Sequence, residues 1–104
     1  NIFKRHGGNM KTIRRTSIAE TDTSHELVVS FMRVAQKIYG QPLGEIRSLG
    51  TSDACYFADR GIPVILCRPA GGSQHADDEW ISAAGFKKYY DVVLGYIKEV
   101  AINA

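Results

Sequence analysis

The residues best suited to chemistry cluster in Pro69-Ala70-Gly71-Gly72-Ser73-Gln74-His75-Ala76-Asp77-Asp78-Glu79-Trp80, where paired glycines precede one histidine and three successive carboxylates. An imidazole can bind a metal ion through one ring nitrogen at about 2 Å while a carboxylate or carbonyl orients the other nitrogen. His75 can equally serve as a general acid or base, with Ser52 or Ser73 as nucleophile if the fold brings one within hydrogen-bond reach. It can also be an ordinary loop histidine. One donor does not make a site, so residue types alone leave all three readings open. Asp77, Asp78 and Glu79 are adjacent and cannot all reach one ion; such runs usually form a solvated face or place negative charge at a helix start. The second candidate is Gly50-Thr51-Ser52-Asp53-Ala54. Its glycine allows a tight turn, and its hydroxyls and acid suit the cap of a following helix. Free backbone N–H groups there would suit a substrate carboxylate, although capping alone also explains Thr51 and Ser52.

The elements that must position these residues can be read from periodicity. Residues 1–11, with Gly7-Gly8-Asn9, read as an irregular lead-in. Lys11 to Ile18 alternates β-branched and charged residues and predicts a strand near a sheet edge. Thr23 and Glu26 have the spacing of a capping box, and Leu27, Val28, Phe31, Val34, Ala35 and Ile38 then keep helical spacing up to Gly40. His25 falls in the first turn, where capping or solvation is the ordinary role. Glu45 to Leu49 predicts a short strand, followed by a short helix ending near Arg60-Gly61. Ile62 to Cys67 lacks polar alternation and predicts a strand covered on both faces, with Pro63 at its start. Ser82 is placed to cap a long helix reaching about Ala101, with Phe86, Tyr89, Val93, Ile97 and Val100 on its apolar face. The order predicts an α/β fold with a mostly parallel sheet. If strands 45–49 and 64–67 are parallel neighbours, the Gly50 and His75 loops leave the sheet at one edge and face one crevice.

A chain of 104 residues supports one domain, and its 44% apolar content argues against disorder. A net charge of +2 is too small to imply a nucleic-acid partner. Five of the thirteen basic residues, Lys4, Arg5, Lys11, Arg14 and Arg15, form an acid-free arm that suits the wet face of an edge strand. Cys55 and Cys67 form no CxxC pair and read as reduced, buried thiols of a cytoplasmic protein. No apolar run approaches the ~18 residues that cross a bilayer, and Ile2-Phe3 followed by Lys4-Arg5 is not a signal peptide. Because the chain starts at Asn1, it is expected to be a piece of a longer protein.

Taken jointly, Gly50-Thr51-Ser52-Asp53-Ala54, Arg60-Gly61-Ile62-Pro63-Val64, Pro69-x-Gly-Gly and His75-x-x-Asp78-Glu79-Trp80, with Asp22-x-x-His25 upstream, resemble the C-terminal part of a zinc amidohydrolase and peptidase catalytic domain. The family is that of acetylornithine deacetylase, succinyl-diaminopimelate desuccinylase and glutamate-releasing carboxypeptidases. The resemblance spans residues 12–101 and implies a three-layer α/β fold over 12–104, with the N-terminal part and the lid or dimerisation domain lying outside this sequence. It implies that His75 holds one of two zinc ions and that Gly50, Thr51 and Ser52 contact the carboxylate end of the substrate. Asp53, Asp78 and Glu79 are implied to order the site. It further implies cleavage of amide bonds in N-acyl amino acids or small peptides, and dimerisation through the lid. The general base and the other metal ligands of such enzymes match nothing here, so no catalytic residue is assigned and the chain alone is expected to be inactive. A small α/β interaction module without catalysis is the competing expectation.

Overall fold

The computed structural model describes residues 2–9, 11, 19–46 and 52–104. Its elements in chain order are α1 (Ile2–Arg5), α2 (Glu26–Tyr39), α3 (Ala54–Ala58), β1 (Gly71–Gly72), β2 (Trp80–Ile81) and α4 (Ala83–Asn103). The strand expected at 11–18 lies outside the described residues from 12 onward, and the one expected at 45–49 lies outside them from 47 onward. Residues 45 and 46, which are described, are not in a strand.

The lead-in is not wholly irregular. It opens with the single turn α1, which Lys4 and Arg5 close with charges that suit a helix C-terminus, and Gly7 then turns with φ of 73°.

The start of α2 differs from the expected capping box. Asp22 accepts hydrogen bonds from the Ser24 hydroxyl at 2.6 Å and the Ser24 amide at 2.9 Å, and these hold its carboxyl below the usual range. The Asp22 carbonyl also accepts from the His25 amide at 3.1 Å. Thr23 is thereby consumed in a turn, and the cap passes to His25, whose Nδ1 accepts from the Leu27 amide at 3.2 Å. His25 is thus a capping residue. The helix ends as expected at Gly40, left-handed with φ of 71°.

Helices α2 and α4 pack antiparallel. Phe31 meets Tyr96 edge to face at 5.3 Å, Arg33 pairs with Glu99, and Lys88 sits over the Tyr39 ring at 5.5 Å. Going up α2 therefore means going down α4. The closest approach is at Gly95, where an added Cβ would lie 3.1 Å from Cγ1 of Val34. Val28, Val34 and Ala35 of α2 are buried, and Val92 of α4 is 3% exposed.

This corrects the expected apolar face of α4. At 100° per residue, Val92, Gly95, Tyr96 and Glu99 form the side that meets α2, while Phe86, Tyr90, Leu94 and Ile97 lie on the opposite side. Phe86 is 52% and Ile97 57% exposed. The sequence pattern shows apolar content but not which of two apolar sides a partner occupies.

The segment after α3 closes as the sequence suggested. Gly61 N–H bonds to the Ala58 carbonyl at 2.9 Å and Ile62 N–H to the Phe57 carbonyl at 3.1 Å, with Gly61 left-handed at φ 69°. That is a Schellman closure, and it needs glycine. Residues 62–67 form no ladder among the described residues, and Leu66 is 65% exposed rather than covered on both faces. A strand needs a partner, and both sequence-predicted partners fall largely outside the described residues. Two contacts hold the segment instead: Thr21 Oγ1 donates to the Val64 carbonyl, and Cys67 shares a hydrogen bond with Tyr89 of α4.

Both cysteines are free thiols. Cys55 is buried as expected, whereas Cys67 is exposed as a residue. Its sulfur nevertheless lies against α4, and that desolvation pushes the thiol above its ordinary value of 9.0 despite the opposing Tyr89 bond. Cys67 is therefore a protonated thiol at neutral pH and a poor nucleophile.

Two outcomes follow from this packing. Val92→Ala should lower the unfolding free energy by about 2 kcal/mol in urea titrations followed by circular dichroism, whereas Phe86→Ala should change it by less than about 0.5 kcal/mol. In a Cys55→Ser background, alkylation of Cys67 by iodoacetamide should rise with pH to a midpoint above 9.0. A midpoint below that value would show that the sulfur is not desolvated.

Candidate functional site

His75 sits on the loop 73–79, and both ends of that loop are fixed. Gly71 pairs with Ile81 and Gly72 with Trp80 in an antiparallel ladder. Below it the Ser82 amide donates to the Ala70 carbonyl at 2.8 Å. Ser82 also caps α4, as its position in the sequence predicted, with its Oγ accepting from the Gly85 amide at 3.1 Å. An added Cβ on Gly85 would be 3.1 Å from the Ala70 Cβ, so the first turn of α4 rests directly on the base of the loop.

Inside the loop two turns follow one another. The Ala76 amide donates to the Ser73 carbonyl at 2.9 Å and the Glu79 amide to the Ala76 carbonyl at 3.1 Å. Arg68 Nη1 donates to Gln74 Oε1 across the loop. This winding forces Ser73 to φ 54° and His75 to φ 67°, the two left-handed non-glycine residues among those described. Such a conformation costs on the order of 1–3 kcal/mol per residue and persists only where its surroundings impose it. It is unusual enough in a non-glycine residue to mark a position of interest.

His75 is exposed, and its side chain makes no hydrogen bond or ion pair among the described residues. It is not bonded to Ser52 or Ser73, so no nucleophile–base pair is formed with either. Asp77, Asp78 and Glu79 are exposed as well, and their carboxylates have no partner among the described residues. Main-chain bonds such as that of the Glu79 amide help to order this stretch.

Of the second loop, Gly50 and Thr51 lie outside the described residues. Ser52 Oγ accepts from the Ala54 amide at 3.1 Å, so the hydroxyl caps α3. Asp53 occupies the N-cap position without a side-chain cap bond. No hydrogen bond or ion pair joins Ser52 or Asp53 to the His75 loop.

Among the described residues no group of three or more His, Cys, Asp and Glu side chains is arranged to hold a metal ion. His75 fits a borderline-soft cation such as zinc as one nitrogen donor on an open loop, and the remaining donors are not assembled with it. A separate groove of about 660 Å³ runs along the outer side of α2 past Val29, Met32, Arg33 and Gln36, and none of the candidate residues lines it.

Two features were not read in the sequence: the left-handed conformation of Ser73, and the place of Trp80 against Gly72, where an added Cβ would come within 2.7 Å of the indole Nε1. The signal was available as a glycine before the loop and a large aromatic after it, at the spacing of a closed hairpin.

The sequence profile described as peptidase family M20/M25/M40 matches residues 9–99. No curated protein and no solved structure matches the chain. The matched range contains the capped entrance to α2, Ser52 and Asp53, the Schellman turn at Gly61, the His75 loop and nearly all of α4. By that extent the chain belongs to peptidase family M20/M25/M40, a generally metal-dependent family of peptidase and amidohydrolase type.

Proposed function

We propose that this chain is the part of a di-zinc hydrolase that supplies one metal ligand and one wall of the substrate pocket. His75 is the ligand. The observation that carries this reading is the display of an exposed imidazole, without a partner among the described residues, in a left-handed conformation on a loop fixed at both ends. Left-handed backbone at a histidine is expensive, and its persistence is accounted for if the direction of that side chain matters.

The substrate class we assign is that of the acetylornithine deacetylase, succinyl-diaminopimelate desuccinylase and glutamate-releasing carboxypeptidase subgroup: an N-acyl amino acid or small peptide with a free carboxylate. Gly50, Thr51 and Ser52 would receive the carboxylate, and Asp53, Asp78 and Glu79 would order the site. Zinc held at such a site would supply Lewis-acid chemistry for activating water and polarising the amide carbonyl. In this chain His75 would hold and orient, and no residue takes or gives the reaction's proton.

The fold that suits this reading is a three-layer α/β domain with a mostly parallel sheet. Two features support it. A helix apolar on two opposite sides, as α4 is, belongs between layers. The extended run Ile62 to Cys67 has the composition of a strand buried on both faces. The molecule also exposes 8897 Å², against roughly 5,800 Å² for a self-contained folded chain of this mass, and its radius of gyration of 18.4 Å exceeds the ~13 Å of a compact domain this long. Further protein surface would cover the difference.

The test is His75→Ala in a full-length protein containing this chain. Bound zinc, measured by elemental analysis, should fall, and hydrolysis of an N-acyl amino acid should drop more than about 100-fold with the far-ultraviolet dichroism unchanged. Unchanged zinc and activity would reject the assignment and leave the interaction module. The 104-residue chain alone should hydrolyse no N-acyl amino acid when zinc is added, and turnover by it would show that the remaining ligands are not required.

A further inference from the structure

We infer that Trp80 and Gly72 form a latch that positions His75, with the indole lying across the neck of the loop against a glycine that leaves it room. The inference rests on His75 being the metal donor. Its basis is geometric. Gly72 and Trp80 are direct cross-strand partners in the ladder that closes the loop. The edge of the indole lies so near the Gly72 α-carbon that an added Cβ would stand 2.7 Å from Nε1, 3.0 Å from Cε2 and 3.1 Å from Cζ2. Real Cβ atoms essentially never come closer than 3.0 Å to a neighbour, so a side chain at 72 would force the ring to shift off the neck.

Gly71 is confined in another way, since a Cβ there would collide with the Trp80 carbonyl oxygen, which is main chain and cannot rotate away. The two glycines thus do different work. Gly71 lets the backbones pair, and Gly72 makes room for the ring.

Trp80 is 55% exposed as a residue, so it is not part of a core, and the edge of its indole lies against Gly72. Beyond the neck, the loop holds Ser73 and His75 left-handed with two turn bonds and the Arg68–Gln74 contact, all of them near solvent. A left-handed histidine relaxes readily unless its ends are kept at fixed separation and twist, and the latch supplies both. Trp80 touches no reacting atom and is a positioning residue.

The experiment uses the full-length protein containing this chain, as wild type and as Gly72→Ala, Trp80→Ala, the double variant, Trp80→Phe and His75→Ala. Three quantities are read: amide exchange at Ala76 and Glu79, zinc affinity and stoichiometry by isothermal titration calorimetry, and far-ultraviolet dichroism. Gly72→Ala and Trp80→Ala should each speed loop exchange and weaken zinc binding by about 10-fold, with dichroism unchanged. The double variant should be no worse than either single one, because the clash disappears with the ring, and Trp80→Phe should retain most of the affinity. If Gly72→Ala unfolds the protein, the latch requires the double variant to recover the helical signal. Unchanged loop exchange in Gly72→Ala, or additive losses in the double variant, would overturn the latch. His75→Ala separates the two ideas: zinc affinity and stoichiometry left unchanged by it reject His75 as the donor, and the exchange rates then decide on the latch independently.

Discussion

The close antiparallel contact of α2 and α4 is the constraint on which the other features depend. Gly95 allows the two helices to approach until Val34 fills the space a side chain would take, and Val92, Val28 and Ala35 are buried around it. The Arg33–Glu99 pair and the Phe31–Tyr96 contact hold the register at one end, and Lys88 over Tyr39 holds it at the other. Because α4 begins directly after the His75 loop, a fixed α4 fixes the platform on which that loop stands. The ion pair is exposed and contributes little by itself; apolar burial along the seam is the larger effect.

The same helix explains why the described residues leave so much surface open. One side of α4 is used by α2, and the opposite side carries Phe86, Tyr90, Leu94 and Ile97, which all remain substantially exposed. A helix with two apolar sides is costly to leave half in water. The three-layer arrangement we propose resolves this by setting a sheet against the free side, with the 62–67 run as one of its strands.

Local chemistry was legible in the sequence where it depends on few neighbours. Gly40 and Gly61 ended their helices because only glycine enters the left-handed region freely, and Ser82 capped α4 because its hydroxyl reaches the amide three residues on. The cap of α2 was misread by two residues. Thr23 and Glu26 matched a known spacing, but Asp22 bonded Ser24 first and moved the start to His25. What depended on distant partners was harder to read. Periodicity gave the apolar residues of α4 but not the side that α2 would take. Of the site, the sequence singled out His75 and the glycines before it, whereas the left-handed backbone at Ser73 and His75 and the indole on Gly72 arise from loop closure, which residue types do not encode one at a time.

Ser82 joins two parts of the molecule that would otherwise be separate. Its amide closes the base of the His75 loop on Ala70, and its hydroxyl holds the first turn of α4. Because one residue makes both bonds, opening of the loop base and fraying of the first helical turn are coupled. The seating of a 21-residue helix thereby bears on the imidazole, although the histidine itself lies outside that helix.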